Sequence, residues 1–199
     1  MEIENKTSEK ILKILVKEPF TDHTATSLAK ILGVTRQGLW KTLNKLSKDK
    51  LISLKSIADT KKSAVKIDIE LKNPLTIKTL SLLLTKESLN YERWRSNFAE
   101  LERYSDFIVL FGSMLRNPKG ASDIDLLAVM DKKNFKPVNE IKSKIQKTQA
   151  KEIHLIDLTK EEFVKELKKQ NRAYLGALKE GIILFGQDNF LKFMEELKS

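Results

Sequence analysis

Cysteine is absent from all 199 residues, which excludes a disulfide scaffold, a thiolate zinc site, a cysteine nucleophile and an iron–sulfur cluster. Histidine occurs only at His23 and His154, too few for a His-rich metal centre, and a Ser-His-Asp hydrolase would depend on one of those two. No apolar run reaches the roughly 18–20 residues that span a bilayer. The opening Met-Glu-Ile-Glu-Asn-Lys lacks the basic-then-apolar order of a signal peptide. These absences lead us to expect a soluble, cytoplasmic protein. What is present is a chain 41% hydrophobic and 32% charged, enough apolar content for a folded core and too much for wholesale disorder.

The charge is lopsided: 37 Lys and Arg against 27 Asp and Glu give a net +10. Residues 1–75 hold 15 basic and 9 acidic side chains, so the N-terminal third is the more cationic piece. A surplus of this sign favours polyanions through phosphate contacts and counterion release, although lysine also serves simply to keep a protein soluble.

The N-terminal third carries a helix-turn-helix pattern. Ile11, Leu12, Ile14 and Leu15 form one helical stripe, and Pro19 ends that helix. Ala25, Leu28, Ala29 and Leu32 form a short apolar face before Gly33, which supplies a tight turn. Thr35 is placed to cap the next helix, whose inward positions are Leu39, Leu43 and Leu46. Two alternating segments, LISLKSI and AVKIDIEL, then predict a β-hairpin around the polar turn ADTKKS. This order resembles a winged helix-turn-helix domain, with TRQGLWKTLNKL similar to a recognition helix of the biotin-repressor type. With the apolar positions turned inward, Arg36, Gln37, Lys41, Asn44 and Lys45 face outward, with Trp40 at the border. Arg36 and Gln37 are then expected to reach base edges of duplex DNA, and Lys41, Lys45 and the wing lysines Lys61 and Lys62 to lie near phosphates. A merely solvated face, or a protein-docking module, is the competing reading.

Residues 73–105 predict a helical connector. Pro74 suits a first helical position, and Leu75, Ile77, Leu80, Leu82, Leu83 and Leu84 are too apolar for a solvated linker, so the helix is expected to pack across domains or in a dimer. Leu89, Trp94, Phe98 and Leu101 continue at helical spacing and read as core.

The chemistry lies at residues 107–131. An apolar strand, Phe107 to Phe111, ends in Gly112-Ser113; after nine intervening residues Asp123-Ile124-Asp125 opens a second strand, which continues apolar. Residues two apart in a strand project from one face, so Asp123 and Asp125 stand together and would repel unless a cation lay between them. Mg²⁺ or Mn²⁺ suits such a pair, keeping coordination positions for phosphate oxygens. The Gly-Ser bend allows a close backbone approach to a triphosphate, and Arg116 and Lys119 can offset its charge. A carboxylate-held ion beside a phosphate cradle is the apparatus of phosphoryl or nucleotidyl transfer.

These residues resemble the nucleotidyltransferase superfamily of polymerase beta, in its minimal branch: Phe111-Gly112-Ser113, the gap, and Asp123-Ile124-Asp125-Leu126 fill its pattern without a mismatch. The resemblance implies metal ligation by Asp123 and Asp125 and an NTP such as ATP held at Gly112 and Ser113; Arg116 joins this nucleotide-binding set on its loop position and charge. The family's third carboxylate, commonly the base on the attacking hydroxyl, belongs on a neighbouring strand. The candidate is KEIHLIDLT, where the best superposition puts His154 at that place, Glu152 on the same face and Asp157 on the other. His154 is thus a candidate base or ligand, against the plainer reading of a structural histidine. The fold class expected is α+β: a winged helix-turn-helix over residues 1–72, a connector over 73–105, and a nucleotidyltransferase α/β domain with a mixed sheet over 106–199. GIILFG reads as an edge strand, and the face of Leu191, Phe193, Met194 and Leu197 as core or partner surface.

Two functions compete. One is a DNA-binding regulator that transfers a nucleotidyl group, AMP by preference, to a protein partner. The family resemblance implies an antitoxin role and a HEPN-type partner, and a homo-oligomer is expected. The alternative is a catalytically silent, nucleotide-sensing or partner-docking transcriptional regulator. The intact Gly-Ser and Asp-Ile-Asp favour the first, and the missing third acid favours the second.

Overall fold

The computed structural model describes residues 6–56 and 65–198, which divide into two compact units, one up to Leu83 and one over Leu84–Leu197. Among the described residues no helix is long and apolar enough to cross a membrane.

The first unit runs α1 (Lys6–Lys17), β1 (His23–Thr24), α2 (Ala25–Leu32), α3 (Arg36–Lys48), β2 (Ile52–Ser56) and β3 (Val65–Ile69), then enters α4 (Pro74–Leu89). Ile11, Leu12, Leu15 and Val16 of α1 are buried, with Ala25, Leu28 and Ala29 of α2 and Leu39, Leu43 and Leu46 of α3. Val16 takes the inward position expected for Ile14, which is only half-buried. Gly33 ends α2 at φ 65° and ψ 32°. No atom would obstruct a Cβ there, so the left-handed backbone alone is what favours glycine. The Thr35 hydroxyl accepts the Gly38 N–H at 3.1 Å and satisfies an orphan donor at the start of α3.

The hairpin forms as read: β2 and β3 are antiparallel, with Ile52 opposite Ile69 and Leu54 opposite Ile67. The two-residue β1 adds itself to β3, giving the order β1-β3-β2. The turn carrying Lys61 and Lys62 lies outside the described residues.

Helix α4 does begin at Pro74. Its leucines, however, do not all pack: Leu80, Leu83 and Leu84 are buried, whereas Leu75, Leu82 and Leu89 are 42%, 55% and 58% exposed. The helical period explains the split. Residues seven apart return to nearly the same azimuth after two turns, so 75, 82 and 89 share one side. Thr76, Thr79 and Ser88 occupy buried positions instead.

The second unit contains α5 (Glu92–Glu102), β4 (Phe107–Phe111), α6 (Ser113–Arg116), β5 (Asp123–Val129), a 3₁₀ turn (Lys132–Asn134), α7 (Phe135–Gln146), β6 (Glu152–Leu158), α8 (Lys160–Lys168), α9 (Arg172–Glu180), β7 (Ile182–Phe185) and α10 (Gln187–Lys198). Its sheet is mixed, ordered β6-β5-β4-β7, with β5 and β6 parallel and the other pairs antiparallel. The parallel pair is joined through α7, the crossover such a pair requires. As expected, GIILFG supplies an edge strand, β7.

The sheet is covered on both faces, which is why β4 and the Leu126–Val129 end of β5 read as unbroken apolar runs. On one face Ile108, Leu110, Leu126 and Ala128 join a core with Phe98 and Leu101 of α5 and Val138 and Ile145 of α7. Against Phe107 pack the rings of Phe163 (α8), Phe190 and Phe193 (both α10), at centroid distances of 6.2, 5.5 and 5.4 Å. Leu191, Phe193 and Met194 are therefore core and not partner surface, and Leu197 is half-buried.

Candidate functional site

Three neighbouring strands converge on one cluster. In the antiparallel β4–β5 pair Phe111 lies opposite Asp125, and in the parallel β5–β6 pair Asp125 lies opposite His154 and Asp123 opposite Glu152. Strand alternation sends Ile124 and Leu126 into the core while Asp123 and Asp125 remain half-buried at the mouth. The Ser113 hydroxyl, on the first residue of α6, donates to Asp123 Oδ1 at 3.4 Å.

Gly112 is built for this place. It adopts φ 83° and ψ −158°, a conformation essentially reserved for glycine. A Cβ there would sit 2.9 Å from the Asp125 carboxyl carbon and closer still to its Oδ2. The bare Cα is what allows β5's second carboxylate to stand against the bend.

Electrostatics mark Asp125. Its carboxyl is held above the usual carboxylate range, first by burial and then by the charge of Asp123, with His154 pulling the other way. His154 Nδ1 lies 3.6 Å from Asp123 Oδ2 and 3.6 Å from Asp125 Oδ1, and its Nε2 lies 3.6 Å from Glu152 Oε2. One donor atom from each of Asp123, Asp125 and His154 falls within 4.8 Å of the others. Two carboxylates and one imidazole, converging from adjacent strands, fit a divalent cation.

The structure thus brings Gly112, Ser113, Asp123, Asp125 and His154 together. Arg116 is drawn elsewhere: its guanidinium donates to Glu180 Oε2 of α9 at 3.0 Å and remains largely exposed. Lys119 is exposed on the loop before β5. The carboxylate that sequence reasoning underweighted is Glu152. Its signal was the Glu-x-His spacing, which puts it on the imidazole's face one pleat away.

On the other unit, Arg36, Gln37, Lys41, Asn44 and Lys45 all lie exposed along α3, with Trp40 half-buried beside them. The burial of Leu39, Thr42, Leu43 and Leu46 on the opposite side leaves this cationic stripe facing solvent.

Residues 96–189 match the family model described as polymerase beta, nucleotidyltransferase. Residues 7–59 match an HTH domain model. No curated protein matches the chain. Among solved structures, a cysteine-to-serine mutant of Lactococcus lactis ZitR is similar at 20% identity, over 52% of this chain and 68% of that one, with a TM-score of 0.36, a superposition too loose to carry any inference. The family matches fall on the two units just described, one around the α2–α3 turn and the other around the β4–β5–β6 cluster. The chain thus carries a segment similar to a helix-turn-helix domain and, after it, a segment similar to the polymerase beta nucleotidyltransferase domain.

Proposed function

We propose that this protein is a DNA-binding regulator whose nucleotidyltransferase domain binds a metal–NTP complex and transfers a nucleotidyl group, AMP from ATP by preference, to a hydroxyl on a protein partner. The observation that carries the reading is the cluster of Asp123, Asp125 and His154 beside the Gly112–Ser113 bend, within the segment that matches the family model.

Asp123 and Asp125 are the proposed metal-holding carboxylates, and a divalent ion bound there would offset the charge of the polyphosphate. The Gly112–Ser113 bend is the proposed cradle for the phosphates, and the Ser113 hydroxyl donates to Asp123. In the transfer, the acceptor oxygen bonds to the α-phosphorus, the bond to the bridging oxygen of the β-phosphate breaks, and pyrophosphate leaves with that electron pair. The acceptor proton is lost to a base, a task for which the site offers His154 and Glu152 in place of the family's third acid. Arg116 reaches phosphate only by releasing Glu180.

The test is transfer of label from α-labelled ATP, with Mg²⁺ or Mn²⁺, to proteins co-expressed with the chain. Label should appear with the parent protein and be lost in Asp123→Asn; labelling that survives the substitution overturns the assignment. A second reading, a silent nucleotide sensor, is favoured by the imidazole at the third-acid position. Nucleotide binding with no turnover under any divalent ion would establish it.

A further inference from the structure

His154 does more than fill the place of an acid. Of its two ring nitrogens, Nδ1 faces both aspartates at 3.6 Å, and Nε2 faces the Glu152 carboxylate at 3.6 Å. Imidazoles that ligate metals characteristically direct the second nitrogen to a carboxylate, which fixes the ring and raises its basicity. The parallel register holds the arrangement, because Asp125 and His154 are direct partners and Asp123 and Glu152 are the next pair on the same face, two residues away.

We infer that His154 is a third metal ligand through Nδ1, oriented by Glu152, and that it makes this a site for a first-row transition ion such as Mn²⁺, Co²⁺ or Zn²⁺ in preference to Mg²⁺. The inference rests on the reading of Asp123 and Asp125 as a metal-holding pair and adds the identity of the ion. The chemistry is that of donor type. An all-oxygen site suits Mg²⁺, which binds nitrogen poorly and parts reluctantly with its water, whereas imidazole nitrogen raises affinity for ions further along the first row. The same assignment removes His154 Nδ1 from proton transfer, since a nitrogen bound to metal takes no proton.

Metal binding to the full chain provides the test, read without any turnover. Co²⁺ titration should give ligand-field absorption at one equivalent, and Mn²⁺, followed by the paramagnetic resonance of the free ion, should be displaced by Mg²⁺ only at a hundred-fold or greater excess. His154→Ala should abolish the cobalt bands and erase the preference for Mn²⁺. His154→Asp should bring the two ions toward parity, and Glu152→Gln should weaken cobalt binding by about 10–100-fold. The inference is overturned if His154→Ala binds Co²⁺ with the parent's spectrum and affinity, or if Mg²⁺ displaces Mn²⁺ from the parent at comparable concentration. Asp123→Asn separates the two levels of the claim. If it abolishes binding while His154→Ala changes nothing, the carboxylate site stands and the imidazole's part falls; if it leaves binding intact, both fall. His154 is 49% exposed on its side chain, so its substitutions leave the core untouched, and an unchanged amide spectrum verifies this.

Discussion

Asp125 is hemmed in by three elements. Phe111 lies opposite it on one neighbouring strand and His154 on the other, and the Gly112 bend closes against its carboxylate. Burial and Asp123 raise its pKa above the ordinary 3.8. A carboxyl that is harder to ionise folded than unfolded destabilises the metal-free fold wherever it is charged. That penalty is complete above the raised folded value and disappears below about 3.8, where both states are protonated. Asp125→Asn should therefore raise the melting temperature of the metal-free protein at pH 7, with the difference shrinking as pH falls through the carboxylate range. An equal difference at every pH would contradict this. Excess Mn²⁺ should close the gap from the other side, by stabilising the parent alone. At this scale much was legible: Gly112, Ser113, Asp123 and Asp125 followed from spacing, and His154 from aligning one strand with its neighbour. The Arg116–Glu180 pair was not, because it joins residues from α6 and α9 that only the folded chain brings together.

Among the elements, α3 owes its outward cationic stripe to three leucines on its inner side and to the Thr35 cap that fixes where the helix begins. If that stripe lies in a major groove, Arg36→Ala with Lys41→Ala should weaken duplex binding. Arg36, at the N-terminal end, should cost about 1–3 kcal/mol with loss of sequence preference, and Lys41 should lower the log–log salt slope by about 1. Unchanged affinity and slope in a salt series would make α3 a protein-docking helix instead. The capped and punctuated elements were the readable ones, since Thr35, Gly33 and Pro74 each announce a boundary. Composition misled at α4, where a leucine-rich stretch hides one exposed row at seven-residue spacing. At α10 the apolar face of Leu191, Phe193, Met194 and Leu197 carried no hint of which surface receives it; Phe107 on β4 packs against Phe190 and Phe193 there. A strand of two residues, like β1, has no pattern to read.

For the molecule as a whole, two compact units carry two kinds of chemistry: a cationic helix face and an acidic cluster at a sheet mouth. The α+β class and the mixed sheet were legible because β4 and the Leu126–Val129 end of β5 are apolar runs set on either side of the Gly-Ser bend and the Asp-Ile-Asp pattern. Sheet order was less so, since pairing β4 with β7 joins segments about seventy residues apart. That order has a consequence. The strand bearing both aspartates is interior, its amides tied to β4 on one side and β6 on the other, so no local fraying frees it. An ion gripped at Asp123 and Asp125 should thus slow hydrogen–deuterium exchange along Ile124–Val129 and in the facing residues of both neighbours by a common factor. Protection confined to the mouth would mean that the centre of the sheet does not feel what its end holds.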